Sequence, residues 1–497
     1  MNTLLKQLRE RRELFPSGLF VLFFTEMWEL FGRFAIMSLL VLYLTNMLKL
    51  SDSQAFSIYA GFLALIYVMS VLGGYVADRF LGLRYGVILG AVMMVIGNLL
   101  MIIPHLYVVY IGLAIVAIGS GFFTPSLIPM VGHLYQGNDR GRDIGFTLYY
   151  VGKNVGALLA PVLCGLVAVH FGYNYAFLLS ALGMSLGIIV FIRGKNQLNE
   201  SVIKEMSGES FLNTKVAPFK TKAAIYLGTL LMIPAVTYIL MKNIDGILLS
   251  VAGIAVLALV AYLLIERTFQ ERRHVLVIII MMAFVVIFQT FLNQGGASLN
   301  LFIERNIHRQ LFNFTLPTSF FYSIEPVFLI LLGPVIAAVW SYLNQKQREP
   351  NEVSKFGIGM LVFSVAYAVF VLAARVAMKD AQASPLFIVL GYFLFPIAEL
   401  CIMPIGLSLV TKLAPKGLEA MMVGIWMLAN AAGSYLTGYV SGFAQVDFDY
   451  STIEGLQRAA GIYHHAFFYF AVVLLIAGVI LLLGIRPWIK HLRHSSL

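Results

Sequence analysis

"TEMWELFGRF", residues 25–34, sets two glutamates and an arginine inside the largely apolar run Leu19–Tyr43. A charge near mid-bilayer costs roughly 2.5–3.5 kcal/mol on insertion scales. Three in one span mark a helix that lines a polar interior rather than one that faces lipid on every side. Glu26, Glu29 and Arg33 fall at i, i+3 and i+7, one stripe of a helix with 3.6 residues per turn. Glu29 and Arg33 also form an i, i+4 pair in the favourable orientation.

The rest of the chain has the composition of a membrane protein. Of 497 residues, 60% are hydrophobic and 12% charged, where a soluble domain carries about 25% charged residues. Mean hydropathy is +0.87, so lipid is the expected solvent. The formal net charge of +10 does not point to nucleic acid, because the basic residues sit in short loops between apolar runs, the pattern of topology signals. Cys164 and Cys401 lie within apolar segments without metal or disulfide spacing. No metal site, cofactor, nucleophile elbow or phosphate loop is expected, and an enzyme is not. The opening "MNTLLKQLRERRELF" reads as a basic amphipathic lead into the first span, not as a cleavable signal.

A spanning helix needs about 20 mostly apolar residues. Fourteen segments qualify: 17–48, 53–77, 85–104, 106–131, 144–168, 174–192, 223–241, 246–265, 275–302, 318–343, 356–376, 385–411, 419–442 and 463–485. With the N-terminus inside, 25 Lys and Arg fall on inner segments and 7 on outer ones, Arg305 among the latter. That bias predicts both termini in the cytoplasm. The expected organisation is an N-terminal segment 1–16, a six-helix bundle 17–192, a polar cytoplasmic linker 193–222, an inserted helix pair 223–265, a second six-helix bundle 275–485 and a cytoplasmic tail 486–497. It is an all-α membrane protein with fourteen transmembrane helices.

Two six-helix halves are the organisation of major facilitator transporters. "GGYVADRFLGLRYG" (73–86) resembles that superfamily's loop between helices two and three, Gly-x-x-x-Asp-Arg followed closely by Gly-x-Arg. From end to end the chain resembles the proton-dependent oligopeptide transporters (the POT family), including an extra helix pair between the halves as in bacterial members. Glu26-Met-Trp-Glu29-Leu-Phe-Gly-Arg-Phe34 aligns with the family's Glu-x-x-Glu-Arg-Phe-x-Tyr-Tyr. "DRGRDIGFTLYYVGKNVGALLAP" (139–161), "NQGGASLNLF" (293–302), "IEPVFLILLGP" (324–334), "FPIAELCIMPIGLSLV" (395–410) and "GIWMLANAAGSYL" (424–436) follow in family order.

This resemblance implies a proton-coupled symporter importing di-/tripeptides or peptide-like small molecules by alternating access. It also implies a site at mid-membrane, no cofactor beyond the proton gradient, and a bacterial inner membrane location. A monomer is expected, with peptide, protons and the lipid bilayer as its partners and no nucleic acid. The departures fall on the chemistry. Leu30 replaces the motif arginine, Met37 a second arginine, Thr124 the fourth-helix lysine and Asn293 a glutamate. Lys153 and Glu325 are gains, while Asn154, Gln294, Tyr67, Glu399 and Trp426 match the family.

Glu26, Glu29 and Glu325 are assigned to proton coupling. Arg33, Tyr67, Lys153, Asn154, Asn293, Gln294, Glu399 and Trp426 are assigned to substrate binding. Moving the arginine from 30 to 33 turns it about 60° and shifts it roughly 4.5 Å along the axis, within reach of a long guanidinium. Four membrane carboxylates against Arg33 and Lys153 leave at least one carboxyl to carry a proton part of the time. Each assigned residue also has a structural reading as a helix-packing, capping or snorkelling group. Two alternatives stay open: a modified or non-peptide substrate on the same fold, and a non-transporting membrane sensor.

Overall fold

The computed structural model describes residues 15–135, 139–198, 218–243, 268–311, 314–415 and 418–487, with isolated positions between 246 and 265. Most of the expected segment 1–16, of the linker 193–222, of the span 246–265 and of the tail 486–497 lies outside the described residues. Among the described residues the chain is helical apart from one two-stranded hairpin, and twelve helices are long and apolar enough to cross a membrane. Helix Glu419–Ser441 also has spanning length but is not one of the twelve. It carries Asn430, Ser434, Thr437 and Ser441, all buried.

The chain divides into two compact units, one of residues 1–39 and 65–243, the other of 40–64 and 244–497. Helices α1 (Ser17–Asn46) and α2 (Asp52–Val76) each contribute to both units. The first unit continues through α3 (Leu83–Leu100), α4 (Leu106–His133), α5 (Asp139–Phe171), α6 (Tyr173–Arg193) and α7 (Pro218–Lys242). A π-helical turn, Ala77–Leu81, ends α2 at the Asp78-Arg79 motif, and Gly82 then turns the chain at φ +86°. A residue with a side chain would be strained there.

Small residues hold this unit together. Helices α3 and α4 pack against each other, and a Cβ on Gly90 would strike the backbone of Gly119. Close approach through small residues suits helices in lipid, where burial of apolar surface gives no drive to associate. A polar clasp adds specificity: the Ser180 hydroxyl bridges the Gly32 carbonyl at 3.1 Å and Asn98 Oδ1 at 2.6 Å.

The second unit holds α8 (Phe269–Leu292) and α9 (Ser298–Asn306), then strands β1 (Gln310–Leu311) and β2 (Phe314–Thr315). Helices α10 (Thr318–Tyr322), α11 (Ile324–Gln345), α12 (Glu352–Asp380), α13 (Leu386–Leu413), α14 (Glu419–Ser441) and α15 (Ile453–Val479) follow. Thr268 and Glu271 form a capping box at the start of α8, and Asn351 caps α12. The expected single spans 275–302 and 318–343 are each broken. A 3₁₀ turn at Asn293–Gly296 separates α8 from α9, and Ser323 separates α10 from α11. Two glycines account for the first break, and the second falls three residues before Pro326.

Arg305, counted among the outer charges, lies buried near the end of α9 and grips Asp52 with two bonds of 2.7 Å. The Tyr463 hydroxyl at 2.9 Å and the Val446 amide at 3.1 Å fill the remaining sites on that pair. A bidentate fork with extra hydrogen bonds is what makes a buried ion pair tolerable.

Candidate functional site

Among the described residues each unit gathers assigned carboxyls into a cluster. In the first unit, α1 presents Glu26, Glu29 and Arg33 as the spacing predicts. Both carboxyls are buried, and Arg33 Nη2 meets Glu29 Oε2 at 3.1 Å. Helix α5 comes close because it carries glycine where α1 is nearest. A Cβ on Gly156 would strike the Met27 carbonyl, and one on Gly152 would lie 2.6 Å from the Phe23 ring.

That close seam brings Lys153 within electrostatic reach of both Glu26 and Glu29. Tyr149, one turn earlier on α5, stands beside Glu26, and Tyr67 lies within reach of Arg33. The cluster therefore pairs two acids with two bases. Glu26 Oε2, Glu29 Oε1, Arg33 Nε and the Tyr149 hydroxyl have no hydrogen bond of good geometry. Such groups in low dielectric are costly unless a ligand, water or proton completes them.

Leu30, at the position of the family's arginine, is buried in the same seam. Its Cβ would be 3.1 Å from one on Gly156. Asn154 is buried beside Lys153, but its amide donates to the Tyr150 carbonyl of its own helix at 2.8 Å. Thr124, at the position of the family's lysine, keeps a hydroxyl without a partner.

In the second unit Glu325 opens α11, and Glu399 sits in α13 between Pro396 and Pro404. Their carboxyls lie within hydrogen-bonding reach of one another. Tyr322, Tyr367 and Tyr392 lie within electrostatic reach of Glu325, and Tyr59 stands beside Tyr322 and Tyr392. Glu399 is the charged group acting on Glu325 among the described residues. This second cluster is acidic and lined with phenols.

Three other assigned residues of this unit are engaged in packing. Asn293 accepts from Gln289 at 3.1 Å and donates to Ser434 at 3.0 Å. Gln294 donates to the Thr437 carbonyl and accepts from Ser298 and Ser441 at 2.5 and 2.8 Å. Both join α8 or its 3₁₀ extension to α14. Trp426 packs its ring against Gly406 of α13. None of the three meets the carboxyl pair in a described interaction.

The sequence reading missed Tyr149, Tyr322, Tyr367 and Tyr392. Three had a positional signal: Tyr149 precedes Lys153 by four, Tyr322 precedes Glu325 by three and Tyr392 precedes Glu399 by seven. The first and third spacings share a helix face, while Tyr322 and Glu325 flank the break at Ser323.

A multi-helix membrane protein with a buried, charged cluster in each unit has the character of a membrane carrier. The POT family model (PTR2) matches residues 85–457, and the chain belongs to that family of multi-pass membrane transport proteins. It is 31% identical over 444 residues to an uncharacterized transporter, YclF, of Bacillus subtilis, covering 86% of this chain and 88% of that one. It is 28% identical to dipeptide and tripeptide permease B of Yersinia enterocolitica, covering 97% and 96%. A crystal structure of a peptide transporter POT in complex with sulfate superposes with a TM-score of 0.81 at 27% identity, covering 96% of each chain.

Proposed function

We propose that this chain is a proton-coupled symporter that imports di-/tripeptides or peptide-like small molecules by alternating access. The observation that carries the reading is the first-unit cluster, in which Glu26, Glu29, Arg33 and Lys153 are gathered with donors and acceptors left uncompleted. In this reading Glu26, Glu29 and Glu325 exchange protons. Arg33 and Lys153 hold the substrate's anionic end, Tyr67 lines it, and Glu399 receives its amine. Asn154, Asn293, Gln294 and Trp426 support the site from the surrounding helices.

The relatives named as dipeptide and tripeptide permeases support peptide transport. The proposed layout is two six-helix bundles with an inserted pair, fourteen helices in all, in a bacterial inner membrane. Both termini are cytoplasmic, the working form is a monomer, and no cofactor is needed. The domain limits follow the segments given above.

A second reading, a modified peptide or non-peptide substrate, is favoured by Leu30 filling the seam and by the gained Glu325. The test is a panel uptake assay in proteoliposomes under an imposed proton gradient. Uptake of di- and tripeptides that collapses with ionophore supports the first reading. Uptake confined to other amine-bearing solutes supports the second. No gradient-dependent uptake of any panel member overturns both.

A further inference from the structure

Two carboxyls within hydrogen-bonding reach raise a question of protons. An ionised carboxylate only accepts hydrogen bonds, so a bond between Glu325 and Glu399 needs a proton on one of them. Like charges at such a separation in low dielectric do not both ionise, and the pair holds one proton between them. The groups facing Glu325 from its neighbours are Tyr322 of α10, Tyr367 of α12 and Tyr392 and Glu399 of α13, with Tyr59 of α2 behind Tyr322 and Tyr392. None of these groups around Glu325 is a cation, so a proton on Glu325 changes the charge it offers.

A second, independent observation points to an occupant. Tyr392 is 0% exposed, its hydroxyl has no hydrogen-bond partner, and it lies within electrostatic reach of Glu325. Across from it is Gly295, where a Cβ would sit 3.2 Å from that hydroxyl oxygen. A buried phenol near Glu325 is thus left uncompleted, while Glu325 and Glu399 themselves are only half-buried.

We propose that Glu325 and Glu399 act as a proton-sharing carboxyl pair that sets the charge offered to a cationic ligand. With the shared proton in place the pair presents one negative charge and takes a single ammonium. When the proton passes to water the pair presents two, and it favours a ligand end bearing a second ammonium, such as a peptide with an N-terminal lysine. Tyr392 completes whichever form is present by donating to a carboxylate or accepting from the ammonium. This rests on the reading that Glu399 receives the ligand's amine.

Two measurements on the purified full-length protein test it. Infrared difference spectra without ligand are expected to show a deuterium-sensitive protonated-carboxyl band that is lost or moved in both Glu325→Asn and Glu399→Gln. The same band is expected to persist in Glu26→Gln. A band identical in wild type and Glu325→Asn overturns the proposal.

The second measurement compares binding of Lys-Ala with that of norleucyl-Ala, its counterpart without the side-chain amine. Between about pH 6 and 7.5 the lysine side chain stays charged, and the α-amine titrates alike in both peptides. The preference for Lys-Ala is expected to rise several-fold across that range in wild type and to stay flat in Glu325→Asn. A flat preference in wild type also overturns the proposal. Should neither peptide bind, the amine reading of Glu399 falls, and the infrared result still decides the pair.

Discussion

The two buried clusters solve opposite electrostatic problems. In the first unit Glu26 and Glu29 have Arg33 and Lys153 beside them, so opposite charges built into the chain offset part of the cost of their burial. In the second, Glu325 and Glu399 have each other and a set of phenols. A balanced cluster can stay ionised in low dielectric, and its free energy responds sharply to the loss of any member. An acidic pair must borrow its compensation from a proton or a cationic ligand. The lesson is that the two units meet the cost of a buried carboxyl by different means, one with fixed cations and one without.

The sharpest way to break the contrast is at Glu29. Glu29→Gln strands Arg33 in the seam, and breaking a buried pair costs about 3–5 kcal/mol. The variant is expected to lose gradient-driven uptake and to unfold at distinctly lower temperature. Glu26→Gln, which leaves the 3.1 Å bridge in place, is expected to lose driven uptake while counterflow exchange partly survives. Vesicles whose uptake ignores both pH gradient and ionophore would remove the basis for either result.

Next in size is Glu399→Gln, which leaves Glu325 alone, with no second carboxyl to share a proton or to meet the ligand's amine. Binding of ligands with a free amine is expected to weaken far more than binding of N-blocked analogues, as measured by competition. Equal losses would assign Glu399 to gating or proton movement instead.

Arg33→Lys should cost less, because the charge remains and only the planar fork is lost. A several-fold weaker affinity for ligands with a free carboxylate is expected, against little change for their amides. The smallest effect belongs to Tyr392→Phe. Its hydroxyl has no partner to lose, so thermal stability should stay within about 1 kcal/mol of wild type, and only the infrared band of the acidic pair should move.

Much of the fold was legible because lipid imposes a simple rule on composition. Long apolar runs between basic loops gave eleven of the twelve spanning helices to within about five residues at each end, while the last begins at Ile453, well before the expected 463. The breaks at Asn293–Gly296 and Ser323 were not legible, since a glycine pair or a proline inside an apolar run is compatible with a continuous helix in a membrane. The ion pair of Arg305 was not legible either, since its partner Asp52 lies 253 positions away in sequence.

At the sites, the Glu26–Glu29–Arg33 stripe was legible from helical spacing alone. Its meeting with Lys153 depended on Gly152 and Gly156, whose role is visible only once α1 lies against α5. The tyrosines around the acidic pair were hidden by their chemistry. In a chain with 24 tyrosines and 38 phenylalanines, a phenol aimed at a carboxyl reads the same as one filling space.

The α1–α5 seam carries a consequence for how variants of this protein should be interpreted. The approach of α5, which carries Lys153, to α1, which carries the two glutamates, is set at Gly156, where a Cβ would strike the Met27 carbonyl oxygen. The glycine is a spacer, and its thickness calibrates the voltage between opposite charges. Adding one methyl group there would push the helices apart and detune proton affinity, although no ionisable residue had been altered. In a screen for altered pH response, a neutral glycine-to-alanine change would surface among the charge mutants, and its cause would be mechanical.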